Sequence, residues 1–226
     1  MSKIIALNVP QIMDSKLYED LLTKVSKEEK AKIEKFAHKE DSYRSLLGNI
    51  LTRAVICVYL GISNEKIQFA KNQFGKPYLL NSNGFYFNIS HSGEWVLLIF
   101  GNKPVGIDIE KIRGFNIETA KGCLSQQEFL RLQQVSQEEQ LDYFFDLWTL
   151  KESYIKAIGT GLYLPLDSFS ILCSESIIAV EPNKERLFFK QYSLGNQYKV
   201  AACSYDRNFP QRVNVAQMNK LLEELR

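Results

Sequence analysis

Residues 105–110, VGIDIE, have the residue types and spacing of half a metal site. Apolar and acidic residues alternate there with period two, which is typical of a half-buried strand. Ile107 and Ile109 should therefore face a core. Asp108 and Glu110 then share the opposite face, roughly 7 Å apart along the strand, where both carboxylates can bind one cation.

A second segment, residues 147–156, supplies groups of the same kind on a predicted helix. Glu152 and Lys156 are i,i+4 neighbours and share one helix face. If the helix packs on the strand, Glu152 joins the two strand carboxylates in an all-oxygen cage beside Lys156. Carboxylate oxygens with free positions for water and phosphate suit Mg²⁺, and lysine binds phosphate as a point charge. The helix offers an apolar stripe for that packing: Phe144, Leu147, Trp148, Ile155 and Ile158.

Spacing alone leaves a structural interpretation open for each segment. Asp108 and Glu110 are also consistent with the solvated face of an edge strand. Glu152 and Lys156 are also consistent with an ordinary helix ion pair, worth about 0.3–0.5 kcal/mol. The wider sequence has to decide between these interpretations.

Composition restricts the class of protein. The chain has 226 residues, 45% hydrophobic and 24% charged, as in a globular protein of one large or two small domains. A formal charge of +2 predicts no nucleic-acid partner, which would require a basic face. Four scattered cysteines without a Cys-x-x-Cys pair predict mostly buried thiols in a reducing compartment. There is no secretory signal and no apolar run of ~18 residues, so we predict a cytoplasmic protein without membrane contact.

The predicted elements occur twice in the same order. Each half has a strand, a Ser-x-x-Glu capping box, a long helix ending near glycine, and three strands. In the first half these are residues 4–9, 26–29, 40–59, 67–70, 86–90 and 95–100; in the second they are residues 105–110, 125–128, 137–158, 168–173, 187–192 and 198–203. Residues 215–226 are predicted to form a short amphipathic helix. We therefore predict an α+β fold of two similar halves, residues 1–103 and 104–226, related by a pseudo-twofold with the active site at the seam.

The residues themselves are more specific than their spacing. Gly-Ile-Asp-x-Glu at 106–110, followed by Trp-Thr-x-Lys-Glu-Ser-x-x-Lys at 148–156, closely resembles the motif pair of the 4'-phosphopantetheinyl transferases. Other blocks resemble the surfactin-synthetase-activating branch of that family and run in family order: residues 38–41, 44–48, 74–77, 87–93 and 164–169. The resemblance covers most of the chain, from about residue 26 to residue 206.

This resemblance implies an enzyme that transfers 4'-phosphopantetheine from coenzyme A, its co-substrate, to a serine of apo peptidyl or acyl carrier proteins. It implies Mg²⁺ dependence and release of 3',5'-ADP, in pathways such as nonribosomal peptide and antibiotic biosynthesis. It assigns metal binding to Asp108, Glu110 and Glu152, and phosphate charge neutralisation to Lys156. Glu128 becomes a candidate for the base that takes the serine proton, although a capping box explains it equally well. Glu152 as both ligand and base also stays open.

Matching the family's blocks gives five candidate contacts to coenzyme A in the first half: Lys32, Arg44, Lys76, Ser90 and His91. Structural explanations remain for them, since Lys32 and Arg44 are also consistent with helix surfaces and His91 with a partly buried histidine. The branch often has a further lysine where this chain has Glu29. That departure weakens the 3'-phosphate site, and Lys30 is a candidate substitute.

Residues 159–166 place several apolar side chains on what should be a surface turn. Because the family meets its carrier in this region, Leu162, Tyr163 and Leu164 are candidate carrier-binding residues. Alternatively these side chains fold back onto the core, with Leu162 closing the helix C terminus. Single-domain members of the family dimerise, so we expect a chain with two halves to be a monomer.

Two other functions stay open from sequence. A non-catalytic binder of carrier proteins or nucleotides would keep the fold without turnover, but the intact acidic and lysine positions of the motif pair favour an enzyme. A Mg²⁺-dependent hydrolase would cleave coenzyme A without a carrier protein. A serine hydrolase or a P-loop enzyme is a poor fit, because the chain has neither a Gly-x-Ser-x-Gly elbow nor a Walker lysine motif.

Overall fold

The structure, a computed structural model, describes residues 1–82, 84–114, 116–174, 178–182 and 186–225, and at Leu162 the backbone alone. The first half contains β1 (Lys3–Asn8), α1 (Ser15–Leu22), α2 (Lys27–Ile33), α3 (Lys39–Leu60), β2 (Phe69–Lys71), β3 (Pro77–Leu79), β4 (Tyr86–Ser92) and β5 (Trp95–Gly101). The second contains β6 (Val105–Lys111), α4 (Ile117–Lys121), α5 (Gln126–Gln134), α6 (Gln137–Ile158), β7 (Ser170–Cys173), β8 (Ile178–Glu181), β9 (Phe188–Ser193) and β10 (Tyr198–Ser204). The chain continues with β11 (Asn214–Val215) and α7 (Met218–Glu223).

The predicted repeat is present in the topology. Antiparallel strands are ordered β1-β5-β4 in the first half and β6-β10-β9 in the second, so each first strand pairs with the last strand of its half. Both long helices, α3 and α6, have 22 residues and end at a left-handed glycine, Gly61 and Gly159. Capping boxes begin α2 and α5, as predicted. The α+β fold of two similar halves is therefore confirmed.

Each sheet is covered on both faces. Helix α3 and helix α6 pack on one face of their own sheets and form separate apolar cores. The opposite faces of the two sheets meet in a third core that includes Ile4, Leu97 and Val200. Ile107 and Ile109 lie in this third core, as the alternation in β6 predicted. Their neighbours in β6 consequently point toward α6.

The C-terminal residues, predicted to belong to the second half (residues 104–226), pack on the first half instead. Strand β11 pairs in parallel with β1, placing Ala6 opposite Val215. Leu221 and Leu225 are buried in the first half's core. The predicted amphipathic helix is present as α7, but residues 214–225 pack on the first half, because the apolar face of so short a helix needs an existing core. Arg226 lies outside the described residues.

Several sequence expectations differ from the structure. Helices α1 and α4 and strands β3 and β8 were not predicted, and β7 starts two residues late because Leu166–Ser168 form a 3₁₀ turn. All four cysteines are free, but only Cys203 is buried, so the prediction of mostly buried thiols was wrong. Across the described residues, none of the helices has the length and apolarity to cross a bilayer.

Candidate active site

Strands β4 and β6 belong to different sheets and meet through side chains at the seam between the halves. Three backbone N–H groups of β6 donate to side chains of alternate β4 residues: Ile107 to Asn88 Oδ1 (2.9 Å), Ile109 to Ser90 Oγ (3.4 Å) and Lys111 to Ser92 Oγ (3.0 Å). The offset between donor and acceptor is constant along the strands, so β4 and β6 run in the same direction. This side-chain ladder fixes the register between the halves.

The same serines hold the two strand carboxylates. Ser90 Oγ donates to Asp108 Oδ1 at 2.8 Å, and Ser92 Oγ donates to Glu110 Oε2 at 2.9 Å. Sequence reasoning proposed Ser90 only as a contact to coenzyme A and did not assign a role to Asn88 or Ser92. The signal was present, because the polar residues of β4 alternate with the same period as the acidic residues of β6.

Gly106 allows α6 to approach β6 closely. A Cβ atom at this position would lie 2.1 Å from the carbonyl oxygen of Ser153 and 2.4 Å from the backbone nitrogen of Ala157. Only glycine fits that distance, so the helix packs directly on the strand. As a result Lys156 Nζ reaches Asp108 Oδ1 at 2.6 Å and Ser90 Oγ at 3.1 Å. The strand and helix segments therefore meet as predicted.

The carboxylates at this junction are short of positive charge. Asp108 is 3% exposed, and its Oδ2 atom is buried without a hydrogen-bond partner. Burial, and next the charge of Asp108, raise the pKa of Glu110. The pKa of Glu152 is also raised, first by burial and then by Asp108 and Glu110, against the lowering effect of Lys156. Buried polar atoms are normally satisfied, so this arrangement fits a cation.

The closed three-carboxylate cage expected from sequence is not formed. Among the described residues, no three His, Cys, Asp or Glu side chains are grouped to hold a metal ion. The reason is local, because Asp108 Oδ1 binds Ser90 and Lys156 while Glu110 Oε2 binds Ser92. Mg²⁺ is usually held by one or two carboxylates plus substrate phosphates rather than by an all-protein cage. The orphaned Asp108 oxygen is consistent with that kind of site.

Replacing Glu152 with glutamine should raise the melting temperature of the metal-free protein near neutral pH. The fold holds the pKa of Glu152 above its ordinary value of 4.5, so the charged carboxylate costs free energy on folding. That cost is complete above the raised pKa and disappears as pH falls toward the unfolded value. The gain should therefore be present at about pH 7.5 and absent at about pH 4.5. Melting curves in EDTA check this, and an equal gain at both pH values would contradict it.

Glu128, a candidate base from sequence, has the structural contacts that the capping-box alternative expected. Its Oε2 atom accepts from the backbone of Ser125 at 2.8 Å and pairs with Lys151 Nζ at 2.8 Å. Its Oε1 atom accepts from the backbone of Ile171 at 2.7 Å. The side chain is buried, and both of its oxygens are engaged within the protein, so we favour Glu152 as the base.

The ammonium group of Lys76 is used within the protein. Its Nζ donates to three carbonyl oxygens, those of Val105 (3.1 Å), Lys156 (2.5 Å) and Ala157 (3.3 Å). An ammonium has three donors, so the predicted side-chain contact of Lys76 to coenzyme A is not available in this structure. Burial lowers the pKa of Lys76 to about 8. Lys76 instead ties the first half to the end of α6.

Of the other predicted contacts to coenzyme A, Lys32 lines a cavity, whereas Arg44 and His91 lie outside the cavity lining. Lys32 is exposed, pairs with Glu28, and lines a cavity of about 720 Å³ between α2, α3 and the β2-β3 hairpin. Arg44 donates to the Gly93 carbonyl oxygen at 2.9 Å. Desolvation, and next the charges of Arg44 and Lys156, lower the pKa of His91.

The cavity and the carboxylate site lie on opposite faces of β4. Ile89 lines the cavity, whereas Ser90, the next residue along the strand, binds Asp108. Lys27 and Lys71 also line the cavity, together with Glu28 and Glu29.

The negative charge of Glu29, which lines the cavity, is neutralised by an ion pair within the protein. Its Oε2 atom pairs with Arg53 at 2.6 Å and accepts from the backbone of Ser26 at 2.7 Å. The departure noted from sequence is therefore compensated by Arg53. Lys30, the substitute considered from sequence, pairs with Glu34 at 3.7 Å instead.

The candidate carrier-docking residues differ from one another. Tyr163 is 76% exposed, and its ring contacts the Phe74 ring of the first half at 5.2 Å between centroids. Leu164 is half-buried and packs on the second half's core, as the alternative interpretation expected. The side chain of Leu162 lies outside the described residues. The structure describes the side chains of Tyr163 and Leu164, and Tyr163 is the exposed one of the two.

Comparisons with known proteins give a consistent result. The profile of the 4'-phosphopantetheinyl transferase N-terminal region matches residues 14–102, and the profile of the 4'-phosphopantetheinyl transferase superfamily matches residues 104–203. The chain is 36% identical to 4'-phosphopantetheinyl transferase Sfp of Bacillus subtilis (strain 168), covering 97% of this chain and 100% of Sfp. It is 40% identical to 4'-phosphopantetheinyl transferase gsp of Aneurinibacillus migulanus, covering 90% of this chain and 86% of gsp.

Among solved structures, a holo-(acyl-carrier-protein) synthase from Bacillus anthracis str. Ames in complex with CoA (3',5'-ADP) superposes with a TM-score of 0.38. The two proteins are 18% identical, and the superposition covers 45% of this chain and 93% of that chain.

Proposed function

Because the chain belongs to the 4'-phosphopantetheinyl transferase superfamily, we propose that it transfers 4'-phosphopantetheine from coenzyme A to a serine of apo carrier proteins. The observation that carries the proposal is the junction of β6 and α6, where Asp108, Glu110, Glu152 and Lys156 are brought to the seam. Carrier proteins of peptide or fatty-acid synthesis are the proposed class of acceptor.

Asp108, Glu110 and Glu152 are the residues that would hold Mg²⁺. Asp108 Oδ2 is the available atom, and burial, with a smaller contribution from the neighbouring carboxylates, raises the pKa of both glutamates. When bound, the ion would polarise the pyrophosphate and neutralise charge on the leaving 3',5'-ADP. Ser90 and Ser92 orient the two strand carboxylates, which reduces their freedom before any ligand arrives.

Glu152 is the proposed base. The carrier serine oxygen forms a bond to the phosphorus on the pantetheine side of the pyrophosphate, and the bond to 3',5'-ADP breaks. The serine proton must leave, and the carboxylate of Glu152, on the face of α6 that meets β6, is the proposed acceptor. Lys156 stands beside Asp108 and can shift its ammonium to the phosphate as charge develops there. Glu128 has both of its oxygens engaged within the protein.

Coenzyme A is proposed to lie in the cavity lined by Lys32 and Lys71, with its pyrophosphate directed toward Arg44 and His91. Cationic side chains there match the 3'-phosphate and pyrophosphate of the ligand. Apolar residues in the same wall, including Phe69 and Leu80, offer a surface to the adenine ring.

Incubating the protein with coenzyme A, Mg²⁺ and an apo carrier domain should add the mass of one phosphopantetheine to the carrier. The measurement is intact-mass spectrometry of the carrier, with EDTA as the metal-free control, in which the gain should be lost. Coenzyme A cleavage without a carrier would instead identify a hydrolase. Carrier binding without mass gain would identify a non-catalytic binder. Full activity in EDTA would remove the metal from the mechanism.

Replacing Tyr163 with alanine should raise KM for the carrier and leave KM for coenzyme A unchanged. Tyr163 is exposed beside the seam, and large exposed aromatic side chains commonly anchor protein interfaces. Steady-state kinetics with each substrate varied in turn check this. The exposed Tyr86, which lies on β4 in the first half, provides a matched control in Tyr86→Ala. Equal losses for both substrates, or a fall in melting temperature that explains the rate, would contradict the docking role.

The monomeric state and the cytoplasmic location remain predictions from sequence. Size-exclusion chromatography with light scattering tests the first, and localisation of the tagged protein in its native cell tests the second.

A further inference from the structure

Lys151 is the most buried charged group outside the carboxylate site, and the proposed mechanism does not use it. It lies on α6, one residue before Glu152, with 1% of its side chain exposed. Its Nζ donates to the carbonyl oxygens of Leu166 at 2.7 Å and Phe169 at 2.5 Å, and pairs with Glu128 at 2.8 Å. All three ammonium donors are therefore engaged.

The groups bound to Lys151 and Glu128 belong to one stretch of chain. Residues 160–169, here called the docking segment, connect α6 to β7 and include the exposed Tyr163. Lys151 holds the carbonyl oxygens at its C-terminal end, and Glu128 holds the N–H of Ile171 immediately beyond it. Ser170 Oγ lies 2.7 Å from Ser125 Oγ, and the Phe169 ring packs 5.0 Å from the Tyr154 ring. These attachments lead back to α5 and α6, while the Tyr163 ring contacts Phe74 of the first half.

We propose that the buried Lys151–Glu128 ion pair is a positioning pair that sets the docking segment relative to the carboxylate site. The inference rests on the proposed function, because it concerns where the carrier is held. One turn of α6 carries Glu152 toward the seam and Lys151 toward the docking segment. The helix therefore fixes the distance between the segment that binds the carrier and the site that reacts with the carrier serine.

The energetics favour a positioning role over a purely stabilising one. Buried ion pairs seldom stabilise a fold more than well-packed apolar residues do. An apolar side chain at position 151 would leave the carbonyl oxygens of Leu166 and Phe169 buried without a donor. The ammonium group fixes both carbonyl groups in direction as well as distance. A displaced docking segment holds the carrier less well, so the expected effect is on KM for the carrier.

The test compares the charge-free double variant, Lys151→Met with Glu128→Gln, with the wild-type protein. KM for the apo carrier should rise by about tenfold or more, while the Kd for coenzyme A, measured by calorimetry, stays unchanged. Hydrogen exchange should accelerate in residues 160–169 and stay slow in α3. Lys190→Met is the matched control, because Lys190, on β9, also donates to a backbone carbonyl oxygen, that of Pro210 at 2.9 Å, and no hydrogen bond or ion pair of the described residues joins it to the docking segment. It should leave both constants unchanged.

Several results would overturn the proposal. A merely structural pair would reduce the amount of active enzyme and leave both KM values unchanged. A proportional change for both substrates would also contradict positioning. If the double variant does not fold, Glu128→Gln alone keeps an acceptor for Ile171 and should raise the carrier KM by a smaller factor; an unchanged carrier KM in that variant overturns the proposal. Wild-type protein that transfers nothing would refute the proposed function itself, which separates the two failures.

Discussion

Replacing Asp108 with asparagine should lower kcat for carrier modification by about 10³-fold, corresponding to several kcal/mol of lost transition-state stabilisation. The amide keeps the size of the carboxylate and an acceptor for Ser90, so the side-chain ladder survives. It removes the charge that pairs with Lys156 and the oxygen that is available for a cation. Steady-state rates at saturating substrates measure the effect.

Asp146→Asn is the control for that experiment. Asp146 also pairs with a lysine, Lys199 at 3.1 Å, but no hydrogen bond or ion pair of the described residues joins it to Asp108 or Lys156, so kcat should stay nearly unaltered. Wild-type rates in Asp108→Asn would show that β6 does not hold the reacting groups. A fall in melting temperature large enough to explain the lost rate would show that Asp108 stabilises the fold and is not needed for the reaction itself.

Replacing Gly106 with alanine should cause the largest loss of stability among single methyl additions in this chain. The new Cβ would overlap backbone atoms of α6 at Ser153 and Ala157, which cannot move without shifting the whole helix. Overpacking of this kind costs about 3 kcal/mol or more, equivalent to a fall of about 6–12 °C in melting temperature for a chain of this length. Differential scanning calorimetry measures it directly.

Gly48→Ala is the matched control in the first half. Gly48 lies on α3, and a Cβ there would meet the side chains of Ile89 and Val96 at ordinary contact distances of 3.4 and 3.6 Å. Because alanine is favoured over glycine in a helix by about 1 kcal/mol, this variant should be neutral or more stable. Equal losses at both glycines would show that the close approach of α6 is not what Gly106 provides.

The parts of the site that follow from periodicity could be predicted from sequence. Alternation placed Ile107 in a core and Asp108 on the opposite face, and helical spacing placed Glu152 beside Lys156. Ser-x-x-Glu capping boxes located the starts of α2 and α5, and terminal glycines located the ends of both long helices. These features are local, so the chain itself encodes them at short range.

The features that could not be predicted from sequence depend on contacts between segments that are distant along the chain. Lys76 and Glu128 carry the residue types of ligand-binding and catalytic groups, and only the fold shows that their polar atoms are already used. No local pattern reveals that Lys151 lies under the docking segment or that the C-terminal tail packs on the first half. Such partners are set by tertiary packing, which a single sequence does not show.

The most direct test of the catalytic assignment is the kcat of two variants, Glu152→Gln and Glu128→Gln, measured by intact mass of the carrier at saturating coenzyme A and carrier. If Glu152 is the base at the seam and Glu128 only positions the docking segment, Glu152→Gln should lose about 10²–10⁴-fold in kcat. Glu128→Gln, assayed below its melting temperature, should retain most of the wild-type kcat. The reverse order, with Glu128→Gln inactive and Glu152→Gln active, would contradict the account.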